Sequence, residues 1–183
     1  MKWISIVIAI VMLAVAGCKD DSVSADDLTG IEYNPIPYVP NVPDGLPPLE
    51  QPDYNPLTID GINLGRKLFY DPILSGDSTM SCSSCHLPHG SFTDNLPVSE
   101  GIDGVAGSRS SMSLLNVGFN FTGLFWDGRS GTLEEQALLP IEDPIELHAT
   151  WPEVVDRLRN HPTYPEDFRK AFEQVDVIAG PTA

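Results

Sequence analysis

The sequence predicts an all-α fold with long irregular loops, and three observations carry that reading. After Leu57, four stretches place apolar residues at helical spacing and are bounded by capping residues or prolines. No stretch alternates convincingly as a strand, and no internal repeat is present. Between the first two helical stretches, Ile73 to Ser111 form an irregular run of nearly forty residues, rich in Gly and Ser. Loops of that length are uncommon unless they are functional or built around something, so a cofactor is expected to supply the missing core.

The chain has 183 residues, room for one domain plus appendages. Its 26 acidic and 10 basic residues give a formal net charge of −16. That argues against nucleic acid as a partner, because phosphate binding needs basic patches and none is visible in the sequence. It suits a soluble surface that meets neutral or basic partners.

The first residues read as a targeting segment rather than as part of the fold. Lys2 is followed by an apolar run of thirteen residues, Ile4 to Ala16, too short to span a bilayer. The run ends in VAGC, Val15 to Cys18, which resembles a bacterial lipobox. In such signals the cysteine is lipidated and becomes the new N-terminus. Residues 1–18 are therefore read as a lipoprotein signal peptide with Cys18 as the lipidation site; an ordinary signal peptide with a chance cysteine is the plainer alternative. The following KDD, Lys19 to Asp21, is similar to a signal that sends lipoproteins to the cell surface in some Gram-negative lineages. A short acidic run is also what any solvated tether looks like. The expected location is an exported lipoprotein on the outer membrane, facing the periplasm or the cell surface.

Residues 19–56 are acidic and then proline-rich, with eight prolines from Pro35 to Pro56 and no apolar periodicity. They read as an extended, polyproline-like tether. An arm that wraps the domain, docked through Tyr33, Tyr38 and Tyr54, is the alternative. The domain itself is assigned to 57–183. Its first helix lies in INLGRKLFYDP, with Leu64 and Leu68 at i,i+4, Phe69 beside them, and a stop at Asp71-Pro72. TLEEQALLP opens with a capping box, Thr132 to Glu135, and is expected to end before Pro140. TWPEVVDRLRNHP repeats that logic with Thr150 and Glu153, and its apolar stripe is Trp151, Val154, Val155 and Leu158. YPEDFRKAFEQV places Tyr164, Phe168, Ala171, Phe172 and Val175 on one face.

The chemistry concentrates in MSCSSCHLPHGSFTD, Met80 to Asp94. If Cys18 carries lipid, Cys82 and Cys85 are the remaining cysteines, and two residues so close form no long-range disulfide. In an exported compartment such a pair forms a local disulfide or serves a ligand. A zinc site would need two more ligands; His89 or His148 are the candidates, but there is no second CxxC or paired His-x₃-His. A thioredoxin-like dithiol would start a helix after a strand, and no strand precedes this pair. Covalent haem c uses every residue of the motif: Cys82 and Cys85 as thioethers, His86 on the iron.

The surroundings add a resemblance. LGRKLFYDPILSGDSTMSCSSCH, FTD, GSRSS, SLLNVGF, FWDGR, LEEQALLPIEDPIEL and VVDRLRNHPTY occur in that order between about Leu57 and Glu173. Together they resemble the N-terminal haem domain of the bacterial di-haem cytochrome c peroxidases, related to the methylamine-utilisation di-haem enzymes. The resemblance implies a cytochrome c-like fold and a low-potential, peroxide-reacting haem with His86 as proximal ligand. It implies hydrogen peroxide as substrate and a small cytochrome or cupredoxin as electron donor. It matches Glu135 to the family's catalytic acid–base, a carboxylate that moves a proton between the two peroxide oxygens. Arg129 is a candidate for charge stabilisation through sequence proximity alone. On the residues alone, Glu135 is a helix cap bonded to Thr132, and Glu134 is a solvated neighbour. Trp126 is read as a core aromatic. His89, His148 and His161 are read as loop or helix-end histidines.

Three departures from the family pattern stand out. Ile102, in SEGIDG, occupies the place of a distal histidine, which implies an open or water-bound iron. Ser110 stands where the family has a calcium-binding asparagine, which makes a calcium ion doubtful. The family also has a second CxxCH in a C-terminal domain, so the chain is read as truncated before a second haem domain or as served by a partner chain. The rival to the peroxidase is a mono-haem electron carrier, which would need a second axial ligand; Met112 is the only methionine after the motif and its surroundings argue nothing for ligation. A related oxidase acting on a protein or organic substrate is a third reading.

Overall fold

A computed structural model describes residues 30–173. Cys18, the lipobox and Val175 lie outside the described residues. The described chain contains five α-helices: α1 (Ile59–Tyr70), α2 (Cys82–Cys85), α3 (Leu133–Glu142), α4 (Trp151–Arg159) and α5 (Tyr164–Ala171). Three short 3₁₀ turns, at 72–74, 88–90 and 117–119, punctuate the loops. Among the described residues β pairing is limited to isolated bridges, Pro37 with Thr58, Glu100 with Ala106 and Leu124 with Ser130.

α1 begins where Thr58 accepts from the Gly61 amide at 3.0 Å, a cap of about 1 kcal/mol. It ends at Asp71, whose carboxylate turns to cap the next 3₁₀ turn through the Ile73 amide at 2.9 Å. α4 is opened by a complete capping box, with the Glu153 carboxylate accepting from both the Thr150 amide (3.2 Å) and its hydroxyl (2.7 Å). The core gathers Leu64 from α1, Leu74, Ile141, Leu147, Ala149, Val154 and Leu158 from α4, and Tyr164 and Ala171 from α5. Trp151, Val155 and Phe168 pack partly against it, while Phe172 is exposed. Lys67 fastens α1 to α5 through Asp167 (2.6 Å) and the Thr163 hydroxyl (2.5 Å).

α3 departs from the expected boundary. The sequence places its end before Pro140, yet the helix runs through Pro140 to Glu142. A returning loop satisfies the carbonyls of its last turn: Leu147 donates to Pro140 at 3.1 Å and Ala149 to Ile141 at 2.9 Å. Ile141 is also buried in the core, which holds that turn in place.

The proline-rich arm pairs with the domain through backbone. Tyr38 donates to Leu57 and Ile59 donates to Ile36, both at 2.9 Å. Tyr38 and Tyr54 stay exposed. Asn55 reaches α3, donating to the Glu134 carboxylate at 3.3 Å.

Candidate functional site

α2 is a single helical turn, and the i,i+3 spacing sets Cys82 and Cys85 on neighbouring positions of one face. Both are half-buried free thiols. Burial pushes both thiols above their ordinary pKa; the carboxylate of Glu146 adds to the effect at both, and that of Asp94 at Cys85. His86 ends the turn, its amide donating to the Cys82 carbonyl at 3.0 Å. Its ring is fixed by a 3.0 Å hydrogen bond between Nδ1 and the Phe92 carbonyl. A carbonyl only accepts, so Nδ1 carries the proton and Nε2 is left bare for a metal.

That contact needs an unusual backbone. Ser91 and Phe92 adopt left-handed conformations, φ 61° and 59°. A non-glycine residue there is strained, on the order of 1–2 kcal/mol. The Phe92 amide donates to the Leu87 carbonyl at 2.9 Å and closes the loop behind His86. The Phe69 ring, on α1, lies 6.4 Å from both the His86 and Phe92 rings. The sequence reading missed Phe92 because the group it contributes is a backbone carbonyl; no residue-type signal marks it.

Behind this loop, Asp94 collects hydrogen bonds from the Ser99 hydroxyl (2.6 Å), the Ser111 hydroxyl (3.0 Å) and the Leu96 amide (3.0 Å). Partial burial opposes its ionisation, but these donors outweigh burial and hold its pKa below the usual carboxylate range.

The remaining predicted residues fall as follows. Ile102 sits half-buried on a turn clamped to residues 145–148, its amide donating to Glu146 at 3.0 Å. Asp103 on the same turn meets His148 Nδ1 at 2.6 Å. Glu146 is exposed as a residue, yet its carboxyl is partly enclosed. That enclosure and the nearby Asp143 charge hold its pKa above the carboxylate range, against the pull of Arg129. Glu135 is exposed at the start of α3: its amide donates to the Thr132 hydroxyl (3.1 Å), and its Oε2 accepts from Gly131 rather than from Thr132 (3.1 Å). Glu134, expected to be solvated, is instead half-buried against Asn55. Arg129 stacks over the Phe125 ring at 3.4 Å and shares Asp127 with Arg109.

Trp126 is not a core aromatic. It is 61% exposed, because its indole Nε1 is drawn out to the Ser110 carbonyl at 2.9 Å. Ser110 offers one neutral hydroxyl where the resemblance expects an amide oxygen. His89 is exposed, and His161 packs beside Tyr164 with ring centroids 4.7 Å apart. Among the described residues, no group of three or more His, Cys, Asp or Glu side chains is placed to hold a metal ion. The zinc reading therefore lacks its third and fourth protein ligands there.

A family model described as di-haem cytochrome c peroxidase matches residues 60–182. This chain belongs to the di-haem cytochrome c peroxidase family. It is 38% identical over 136 residues to the methylamine utilization protein MauG of Methylorubrum extorquens, covering 74% of this chain and 37% of that one. It is 42% identical over 118 residues to the cytochrome c551 peroxidase of Pseudomonas aeruginosa, covering 64% and 34%. A crystal structure of a MauG-like protein associated with microbial copper homeostasis superimposes with a TM-score of 0.72 at 38% identity, covering 78% of this chain and 42% of that one. The chain thus spans about a third of the length of the curated relatives it matches.

Membership in the di-haem cytochrome c peroxidase family implies c-type haem, and the all-α, loop-rich architecture agrees with it. The donor set fits such a group. Two free thiols stand one helical turn apart, and the adjacent imidazole has one nitrogen anchored and the other bare.

Proposed function

We propose that this chain is the peroxide-reacting haem domain of a cytochrome c peroxidase, reducing hydrogen peroxide to water with electrons from a small cytochrome or cupredoxin. Cys82 and Cys85 hold haem c through thioethers, and His86 Nε2 ligates its iron. The observation that carries the reading is the His86 Nδ1 bond to the Phe92 carbonyl, which fixes both tautomer and ring. The bound haem supplies the iron at which peroxide is reduced.

The chain's own contribution is proton handling. Glu135 Oε2 is anchored on the Gly131 amide, while Oε1 has no hydrogen bond to the described residues, leaving it to take and return a proton. The cap and the acid–base roles therefore divide between the two oxygens of one carboxylate. Reducing peroxide to water takes two electrons, so a second redox centre, in a further domain or a partner chain, works with this one. Calcium is left out, given the serine at position 110. We place the domain on the outer membrane, anchored by lipid at Cys18 and held off the surface by the proline-rich arm.

Optical and EPR spectra of the ferric protein, with stopped-flow mixing against peroxide, test this. A high-spin signal and a fast reaction that drops about 10²–10⁴-fold in Glu135→Gln are expected. A wholly low-spin spectrum inert to peroxide would identify an electron carrier instead.

A further inference from the structure

The polar knot around Asp94 takes no part in attachment or proton transfer as described, yet it lies directly behind the proximal ligand. We propose that Asp94 is a positioning residue for His86, acting through the Phe92 carbonyl, and that its fixed negative charge lowers the reduction potential of the haem held there. The inference rests on the haem-binding reading above and adds what sets the basicity of its ligand.

The geometry runs from the knot to the ring. Ser111 holds both residues that follow Phe92: its hydroxyl accepts from the Asp94 amide at 3.1 Å and lies 2.9 Å from the Thr93 hydroxyl. On the other side of Phe92, the Ser113 hydroxyl donates to the Ser91 carbonyl at 2.6 Å. Ser99 ties the knot further by accepting from the Ser111 amide at 3.1 Å while donating to Asp94 at 2.6 Å. Phe92 is thereby held from both neighbours in a backbone conformation it would otherwise leave. The Ser99 and Ser111 hydroxyls and the Leu96 amide all donate to the Asp94 carboxylate.

Two physical effects then act with the same sign. A fixed acceptor on Nδ1–H makes the imidazole a more basic ligand, which favours the ferric iron. A permanent negative charge near the thioether edge also favours the ferric state. The Asp94 carboxylate, held by the Ser99 hydroxyl at 2.6 Å, already acts at that edge, where its charge raises the Cys85 thiol pKa alongside burial. Both effects lower the potential.

The test uses the haem-loaded protein, with a redox titration and the iron–histidine stretch of the ferrous form by resonance Raman. Asp94→Asn is expected to raise the ferrous-to-ferric ratio at a fixed ambient potential about tenfold, an upward shift of ~59 mV for one electron, and to lower the stretching frequency. Asp94→Glu, which keeps the charge, is expected to recover most of the potential. Ser111→Ala leaves the carboxylate on Ser99 and Leu96 but removes the hydroxyl that ties Thr93 and Asp94 together, and should move both readouts the same way by less. An unchanged potential and frequency in loaded Asp94→Asn overturns the proposal; if that variant does not retain haem, an unchanged Ser111→Ala does so. Equal shifts in Asp94→Glu and Asp94→Asn overturn the charge effect. Absence of covalent haem in the unmutated protein, read by haem staining of a denaturing gel, overturns the binding reading itself and this inference with it.

Discussion

The hydroxyl of Tyr164 donates to Oδ2 of Asp71 across 2.8 Å, from a residue with no solvent exposure at the centre of the core. One bond thus joins the first turn of α5 to the residue that ends α1 and caps the following turn. Burial, then the Asp71 carboxylate, push the Tyr164 pKa far above its ordinary value.

Tyr164→Phe is expected to cost about 1–3 kcal/mol, because a charged acceptor loses its donor. Urea denaturation should show a lower midpoint with an unchanged slope. The pH dependence has a definite sign. The folded state binds the phenolic proton more tightly than the unfolded state, so this stability is complete below pH ~10 and is lost as pH rises further. The Phe variant should lack that alkaline loss.

Cys82→Ser and Cys85→Ser should each leave a single thioether anchor, and the double variant none. Haem staining after denaturing electrophoresis reads the result directly. The double variant is expected to lose all covalent haem; retention there would exclude these cysteines as the attachment points.

Gly101 and Gly104 share one turn but serve it differently. A Cβ on Gly101 would lie 1.9 Å from the Ile145 carbonyl oxygen, whereas Gly104 has open space and a φ of +68°. Gly101→Ala should therefore cost about 1–3 kcal/mol through forced displacement of the 145–148 segment. Gly104→Ala should cost only the ~1 kcal/mol of left-handed strain. Thermal melts of the two variants, ranked in the opposite order, would show that the turn does not press on that segment.

Asn55→Ala removes a side-chain bond from the arm to α3 and frees the Glu134 carboxylate. A loss of about 0.5–1.5 kcal/mol is expected, local to the arm and the first turn of α3. Hydrogen exchange should quicken at the amides of residues 134–136, with those of α4 and α5 unaffected.

The helices were legible because their ends are written in local chemistry. Thr132, Thr150 and the Asp71-Pro72 pair mark their boundaries, and the stripe on α4 names Val154 and Leu158 as core. Pro140 misled because the sequence does not show that Leu147 and Ala149 return to satisfy the last turn. Trp126 misled because a large aromatic suggests a core position, while a single backbone acceptor at Ser110 turns it outward. The CxxCH motif marks the candidate site, but the groups around it were hidden. Phe92 contributes a carbonyl, and Asp94 works through serines and threonines that carry no period. Loops of this kind are built from individual hydrogen bonds, and only three-dimensional placement reveals them.

The pairing of Pro37 with Thr58 has a mechanical consequence. Two backbone hydrogen bonds close the loop between them, and their open end faces the preceding chain, so tension applied upstream of Ile36 would peel them one at a time. At about 1 kcal/mol each they form a weak latch. Once the Asn55–Glu134 bond has also given way, the stretch from residue 37 to residue 58 is freed, roughly 70 Å when extended at ~3.3 Å per residue. The domain therefore has a short reach and a long one, and carries the spare length folded against its own side.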